Sequence, residues 1–211
     1  MKNWYKIEIE DLISAGKEIW THVSDNIHED NPVIKNMHIP NNYFTLVNLG
    51  LKSPKWADFR NLFSEITNEP CLIEFYVGEP YYYNSQPHTD RGRSCAVNIP
   101  IQVDLEKSDA YFGKYTSLDH YQHTAISTPY TFKLTNSKGQ SMKSSNIRFQ
   151  GKYDAKLYDS VNFDKSVVFN PAIPHGGYNN SDEIRVLLSL SWFNTSFEEF
   201  TSKAKDLGYI L

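Results

Sequence analysis

The chain has 211 residues, of which 40% are hydrophobic and 22% are charged, and its formal net charge is −4. This length and composition predict one globular domain with a full core, and the mild negative charge favours neither nucleic acid nor an anionic membrane surface as a partner. The start of the chain lacks the apolar segment of a signal peptide, and no apolar run is long enough to span a membrane. We therefore expect a soluble cytoplasmic or otherwise intracellular protein.

The first 70 residues are predicted to form mainly helices that support the rest of the domain. Apolar residues spaced three and four apart over 9–27 predict an amphipathic helix with one buried stripe. A strand is predicted over 41–49. A second helix is predicted to start where Ser53 can cap it and Pro54 suits the first helical position, and its apolar face extends to Ile66.

From residue 71 onward the hydrophobic period changes to that of strands, and the core of the domain is predicted to span 71–193. The stretch at about 104–165 is more polar and is interpreted as an insert that contains a hairpin with a long loop. The strands are predicted at 71–77, 94–101, 130–134, 146–149, 167–169 and 184–193. Ser196 and Glu199 then form a capping box that starts a C-terminal helix within 194–211.

Together these elements predict a mainly β protein with flanking helices, folded as a single domain over 1–211. In this prediction the helical region 1–70 and the C-terminal helix brace a β-sandwich or jelly roll. The two cysteines, Cys71 and Cys95, lie in apolar strand-like runs and are interpreted as buried free thiols.

One histidine–acid pair has the local geometry of a metal site. The 7 histidines and 25 acidic residues make about one His-x-acid pair expected by composition alone, so the pattern is weak by itself. His88 and Asp90 follow a loop at the predicted start of a strand, where residues two apart project to the same face. The similar pair of His28 and Asp30 lies at the end of the first helix, where a spacing of two separates the side chains. Geometry therefore favours His88 and Asp90.

A second histidine and an arginine extend the pattern. His175 follows Pro174 at a predicted turn, and Gly176 and Gly177 permit close approach of the backbone. Arg185 lies within an otherwise apolar strand, where burial of a guanidinium without an anionic partner is costly. A bound carboxylate, held by two parallel hydrogen bonds, would be such a partner. Two histidines and one acid form a facial triad, which leaves three positions open on Fe(II).

Two stretches resemble the Fe(II)/2-oxoglutarate-dependent dioxygenase superfamily, in its prolyl-hydroxylase-like branch. The first contains the strand Glu-Phe-Tyr-Val-Gly at 74–78 and Pro-His-Thr-Asp at 87–90, and the second runs over 170–193. The resemblance implies a double-stranded β-helix of the jelly-roll or cupin-like type. It also implies a hydroxylase that uses Fe(II), 2-oxoglutarate and O₂, with ascorbate as an accessory reductant, and that releases succinate and CO₂.

The resemblance assigns roles to individual residues. His88, Asp90 and His175 would bind the metal, and no catalytic side chain is expected beyond these ligands. Arg185 would bind the distal carboxylate of 2-oxoglutarate. The other candidates for binding this cosubstrate are Tyr76, Asn98 and Ser189.

The substrate is the least specified part of the interpretation. Tyr82, Arg91 and Arg93 flank the predicted metal loop, where they could line a groove for a peptidyl substrate, such as a prolyl residue, or for a small molecule. A solvated rim is the alternative for these three residues, and a hydrogen bond to backbone near Pro100 is the alternative for Asn98. Two other functions stay open, namely a jelly-roll binding or structural domain and a cupin-type metalloenzyme that does not use 2-oxoglutarate.

Overall fold

The computed structural model describes residues 2–25, 43–45, 61–78, 90, 92–115, 128–135, 141–148, 155–173, 175–179 and 181–210. Within these residues the chain is mainly antiparallel β-sheet with two helices, and neither helix is both long and apolar enough to cross a membrane. The strands are β1 (Trp4–Ile7), β2 (Tyr43–Thr45), β3 (Leu72–Gly78), β4 (Cys95–Gln102), β5 (Ser108–Tyr115), β6 (Thr128–Thr135), β7 (Ser141–Arg148), β8 (Ala155–Asn162), β9 (Ser166–Phe169), β10 (His175–Asn179) and β11 (Arg185–Trp192). The helices are α1 (Leu12–Asp25) and α2 (Phe197–Asp206).

The strands form two larger sheets and one hairpin. Six strands form the largest sheet, in the order β1-β9-β4-β11-β3-β2, and a second sheet has the order β10-β5-β8. β6 and β7 pair with each other as the hairpin. All of these pairings are antiparallel. Because β5, β8 and β10 alternate along the chain with strands of the six-stranded sheet, the backbone passes repeatedly between the two sheets.

One face of the six-stranded sheet, called here the outer face, is covered by the two helices. Alternate residues of its strands join side chains from α1 and α2 in one large apolar core. Gly16 of α1 lies so close to β4 that an added Cβ would be 2.8 Å from Cδ1 of Ile101. At the end of β11 the Trp192 ring centroid lies 4.9 Å from that of Phe200 and 5.4 Å from that of Phe63. The helices are thus held to the sheet by close apolar packing.

The opposite face of the six-stranded sheet, called here the inner face, carries a smaller apolar core. This core also contains residues from β8 and from the turn that follows it, so the inner face looks toward the three-stranded sheet. Its buried members are Ala96, Val161, Phe163, Val167, Phe169 and Leu187.

The C-terminal helix begins as the sequence predicts. The Ser196 side chain accepts a hydrogen bond from the N–H of Glu199, and the Glu199 carboxylate accepts one from the N–H of Ser196. Just before this capping box, the Glu69 carboxylate accepts hydrogen bonds from the backbone N–H groups of 193–195. Both contacts fix the turn between β11 and α2.

Most of the predicted strands are confirmed, and their ends shift by a residue or two except in β7, which begins at Ser141 and not at 146. The strand predicted over 41–49 corresponds to β2. The predictions in the second half of the chain correspond to β9, β11 and the hairpin of β6 with β7, and those around residue 90 correspond to β3 and β4. The helix predicted over 9–27 is α1, while the helix predicted after Ser53 lies mostly outside the described residues. β1, β5, β8 and β10 were not predicted.

The polar stretch 104–165, which was predicted to be an insert with a hairpin, also contributes strands to the second sheet. It contains β5 and β8, and these two strands form the second sheet together with β10. Its polarity concealed the strands because one of their faces is exposed: residues 160–163 are in turn exposed, buried, exposed and buried. Within the described residues, only the β6–β7 hairpin stands apart from the two sheets.

Candidate functional site

The predicted cosubstrate residues lie on the inner face, on three neighbouring strands. Ser189 of β11 is paired with Asn98 of β4 on one side and with Glu74 of β3 on the other. Leu187, two residues before Ser189, is paired with Tyr76. Because directly paired residues of antiparallel strands project to the same face, these side chains form one continuous patch.

Arg185 extends this patch at the start of β11. It lies two residues before Leu187 and therefore on the same face of the strand. Arg185 is only 3% exposed, and its guanidinium carbon lies 6.0 Å from the ring centroid of Phe163, a member of the inner core. The predicted burial of this arginine is confirmed.

Asp90 and His175 lie next to each other beside the inner core. The N–H of Asp90 donates to the carbonyl oxygen of Pro171 at 2.9 Å, and the His175 ring lies 4.9 Å from the ring of Phe169. The Nε2 atom of His175 is 3.7 Å from Oδ2 of Asp90. That separation is too long for a hydrogen bond. Two adjacent ligand atoms that are each about 2.1 Å from a shared ion are about 3.0 Å apart, so the pair would have to approach by several tenths of an ångström to bind one ion on adjacent positions.

The other ring nitrogen of His175 has its own backbone partner. Nδ1 lies 2.8 Å from the carbonyl oxygen of Ile173, so the Nδ1 proton is donated there. A neutral imidazole then carries its lone pair on Nε2, the atom that faces Asp90. Backbone hydrogen bonds of this kind fix both the tautomer and the ring orientation of metal-binding histidines.

The third predicted ligand, His88, lies outside the described residues. Among the residues that are described, no group of three His, Cys, Asp or Glu side chains is placed to hold a metal ion. The structure thus brings together two of the three side chains that the sequence nominates, and the place of the third remains a prediction.

A polar cluster connects Asp90 to strand β3. Nη1 of Arg93 donates to Oδ2 of Asp90 at 3.3 Å and to the Tyr76 hydroxyl at 2.8 Å, and Nη2 donates to Oε2 of Glu74. The Tyr76 hydroxyl donates to the same Glu74 oxygen at 2.9 Å. The side chains of Arg93 and Glu74 are 18% and 8% exposed. One largely buried cation therefore bridges two acids, and one of these acids is a candidate metal ligand.

Electrostatics fix the protonation states of Tyr76 and Arg93 near neutral pH. Burial raises the pKa of the Tyr76 hydroxyl, although the charge of Arg93 opposes the shift. Burial by itself works against the charge of Arg93, but Tyr76, Asp90 and Glu74 outweigh it and raise the pKa of the guanidinium. Tyr76 therefore keeps its proton and Arg93 keeps its charge.

The cluster changes the interpretation of two predicted residues. Arg93 was predicted at the rim of a substrate groove, but its guanidinium is instead directed at Glu74, Tyr76 and Asp90. Tyr76 was a candidate for binding 2-oxoglutarate, yet its single hydroxyl proton is donated to Glu74. A role of Tyr76 in binding 2-oxoglutarate stays a prediction. Tyr82 and Arg91 lie outside the described residues.

Sequence reasoning gave no role to Glu74, which is buried within β3. A signal for it was present, because Glu74 is an acid in an otherwise apolar strand. The same kind of contrast, a charge in an apolar strand, is what singled out Arg185.

Two buried polar atoms of the described residues have no hydrogen-bond partner, and both lie on the inner face. They are Oδ1 of Asn98 and Oγ of Ser191. Ser191 lies two residues after Ser189 and is paired with Ala96, which is two residues before Asn98. The two atoms thus sit diagonally across β4 and β11. Buried polar atoms normally have a protein, water or ligand partner, so this patch offers polar contacts to a bound molecule.

Comparisons with known proteins found structural similarity alone. No protein-family model matches the chain, and no curated protein is similar to it in sequence. The non-haem α-ketoglutarate-dependent epimerase SnoN from nogalamycin biosynthesis is 11% identical, with a TM-score of 0.47, over 92% of this chain and 79% of that one. A Pseudomonas putida prolyl-4-hydroxylase is 10% identical, with a TM-score of 0.43, over 90% and 91%.

A cupin-type barrel protein from Salinispora arenicola is also similar, with 13% identity and a TM-score of 0.32 over 84% of this chain and 99% of that one. Because the three TM-scores are all below 0.5, we base the functional proposal on this chain's own residues.

Proposed function

We propose that this protein is a non-haem Fe(II)/2-oxoglutarate-dependent oxygenase built on a double-stranded β-helix. The observation that carries the proposal is the pairing of Asp90 with His175, whose Nε2 and Oδ2 atoms lie 3.7 Å apart while Nδ1 is held by a backbone carbonyl. This is close to the arrangement expected of a carboxylate and a neutral imidazole that share one ion.

The two sheets support the architectural part of the proposal. The backbone alternates between them, and the inner core lies between the six-stranded sheet and residues of β8. Asp90 and His175 lie beside this core, with the His175 ring next to Phe169, and the Arg185 guanidinium lies next to Phe163. A pocket between two antiparallel sheets is the place where a double-stranded β-helix would hold a cofactor.

Three side chains of this chain would bind the metal: His88, Asp90 and His175. Together they form a facial set that leaves three positions for the cosubstrate and O₂. When bound, Fe(II) with 2-oxoglutarate and O₂ supplies the oxidising chemistry that yields succinate, CO₂ and a hydroxylated product. The Ile173 carbonyl would keep the His175 lone pair directed at the ion throughout.

Arg185 would orient the cosubstrate. Its guanidinium is buried on the inner face, where a carboxylate could accept two parallel hydrogen bonds at little cost in lost hydration. Ser189 and Asn98 are paired across β11 and β4 on the same face, and the Oδ1 atom of Asn98 has no partner among the described residues. We assign these two residues to the wall of the cosubstrate pocket, with a peptidyl residue or a small molecule as substrate.

The proposal can be tested without knowing the substrate. Fe(II) is added to the protein under anaerobic conditions, 2-oxoglutarate follows, and visible absorption is recorded for the charge-transfer band of chelated 2-oxoglutarate. We expect the band in the native protein and its loss in His175→Ala. In Arg185→Met the band should need a higher concentration of 2-oxoglutarate, because the Kd for this cosubstrate is raised. His28→Ala is the matched control, because His28 belongs to the other His-x-acid pattern, and it should leave the band unchanged.

The outcomes separate the proposal from its rivals. A protein that binds Fe(II) without a band on adding 2-oxoglutarate would be a cupin-type metalloenzyme of another kind. A protein that binds neither would be a binding or structural domain. Succinate formation from 2-oxoglutarate under air, even without a second substrate, would give independent support.

A further inference from the structure

The polar cluster at β3 joins a candidate metal ligand to the six-stranded sheet through a buried cation. Its central cation, Arg93, contacts the candidate ligand Asp90 on one side and Glu74 on the other. Glu74 lies within β3, which is paired with β11 along seven residues, so this acid is fixed to the rigid part of the sheet. Tyr76, also in β3, closes the cluster by bonding to both Arg93 and Glu74.

We propose that Arg93, held by Glu74 and Tyr76, is a positioning residue that fixes the Asp90 carboxylate for metal binding. This inference rests on the proposed function and extends it to side chains that do not touch the metal. Asp90 precedes β4 and is anchored through its N–H to Pro171. The contact with Arg93 adds a second anchor at the carboxylate itself, at the same Oδ2 atom that faces His175.

The chemistry of the guanidinium suits this task. Arginine presents five N–H donors in a rigid planar fork, so one side chain can bond to Asp90, Tyr76 and Glu74 at once. A lysine ammonium has the same charge but fewer donors and no fixed plane. A lysine at position 93 would therefore keep the charge of the cluster without fixing the carboxylate in one orientation.

The sign of the effect separates positioning from simple charge. A cation close to a metal site repels the incoming metal ion, so removing it would by charge alone make metal binding tighter. Removing an outer residue that orients a ligand has the opposite effect, and typically weakens metal affinity by about 10- to 100-fold. A substitution of Arg93 therefore tests one explanation against the other.

The experiment is a titration with Co(II), followed by its visible absorption, which reports both affinity and coordination geometry. Arg93→Met should raise the Kd for Co(II) by about 10- to 100-fold and alter the shape of the spectrum. Arg93→Lys should give an intermediate Kd. Lys165→Met is the matched control, because it removes the cation of an exposed pair with Glu8 and should leave the Kd unchanged.

A second variant keeps the test valid if the single substitution impairs folding. Arg93→Met leaves Glu74 buried without its cation, which is unfavourable for the fold in itself. Combining it with Glu74→Gln removes both charges while a side chain that can accept the Tyr76 hydrogen bond remains. The double variant should fold like the native protein and still bind Co(II) weakly.

The results distinguish the two levels of inference. Native affinity in the double variant, or tighter binding in Arg93→Met, would overturn the positioning role and leave the oxygenase proposal intact. A native protein that binds neither Co(II) nor Fe(II) would overturn both. A raised Kd for Co(II) in both Arg93→Met and the double variant, with an unchanged Kd in Lys165→Met, would establish the positioning role.

Discussion

Strand β11 contributes to both faces of the six-stranded sheet, and all of its residues are buried. Its outer side is entirely apolar and joins the core beneath the helices through Val186, Leu188, Leu190 and Trp192. Its inner side contains one cation and two hydroxyl groups and consists of Arg185, Leu187, Ser189 and Ser191. The two sides share one backbone and one degree of burial, so only the chemistry of their side chains differs.

This difference indicates a division of labour. Apolar groups gain free energy when they leave water, whereas a buried guanidinium or hydroxyl costs free energy unless it finds a partner. The outer side of β11 therefore stabilises the fold, whereas the polar inner side is the part of the strand that we propose to line the cosubstrate pocket. Local disagreement of this kind between burial and polarity is expected at functional sites. Substitutions on the two sides should separate stability from ligand binding.

The largest effect is expected on the outer side, from Trp192→Ala. The Trp192 ring packs against Phe63 and Phe200, so its removal leaves a cavity between the sheet and α2. The free energy of unfolding should fall by about 3 to 5 kcal/mol, measured by urea denaturation. If the protein still folds, its Kd for Co(II) should be unchanged. A large change in metal affinity with little loss of stability would contradict the division.

The reverse result is expected on the inner side, from Arg185→Met. Methionine keeps much of the apolar volume of the arginine side chain, so the free energy of unfolding should fall by less than it does in Trp192→Ala. The Kd for 2-oxoglutarate, measured from the anaerobic charge-transfer band, should rise by about 10- to 100-fold because a charge-assisted hydrogen-bonded contact is lost. The Kd for Co(II) should not change. Unaltered 2-oxoglutarate binding would show that the cosubstrate carboxylate lies elsewhere.

The sequence predicted the strands of the six-stranded sheet better than those of the three-stranded sheet. Apolar runs such as those of β4 and β11 are readable because burial on both faces leaves almost no polar residues in them. β5 and β8 were missed because their exposed faces carry polar residues, and β10 because its start, His175-Gly176-Gly177, is typical of a turn. The short strand β1 has no comparable apolar run.

The candidate site was predictable only in part, for a related reason. Residue spacing on one strand placed Arg185 and Ser189 on a common face, because that relation is local. The contacts of Arg93 join residues 17 and 19 positions apart in the sequence, and no periodicity predicts contacts at such separations. A charged residue after a metal motif is ambiguous in sequence, and only tertiary contacts show that Arg93 faces inward.

Glu69 is an acid whose hydrogen bonds stabilise the fold, in contrast to the polar residues on the inner side of β11. Partial burial opposes its charge, but hydrogen bonds from Asn194, Thr195 and Phe193 outweigh this and hold its pKa below the ordinary value of 4.5. A lowered folded pKa means that the stabilisation is complete at neutral pH. It is lost as the pH falls below about 4.5 and through the folded pKa.

Glu69→Gln should therefore reduce the free energy of unfolding by roughly 1 to 2 kcal/mol at pH 7, since several charge-assisted hydrogen bonds are weakened at a partly exposed site. The gap between native and variant should close as the pH is lowered toward 3, which urea denaturation at a series of pH values would show. A gap that persists at the lowest pH would mean that shape, not charge, is what Glu69 contributes.

The smallest effect is expected from Ser191→Ala, on the inner side beside Trp192. Its hydroxyl is buried and has no partner among the described residues, so the free protein loses no hydrogen bond when it is removed. Stability of the free protein should change by less than about 0.5 kcal/mol, and toward greater stability, because an unsatisfied polar group is costly. If the hydroxyl contacts a bound molecule, the stabilisation produced by Co(II) with 2-oxoglutarate should fall in this variant. Thermal denaturation with and without these ligands therefore shows whether the Ser191 hydroxyl contacts a bound ligand. Such a contact is expected if the inner side of β11 serves ligand binding and the outer side serves stability.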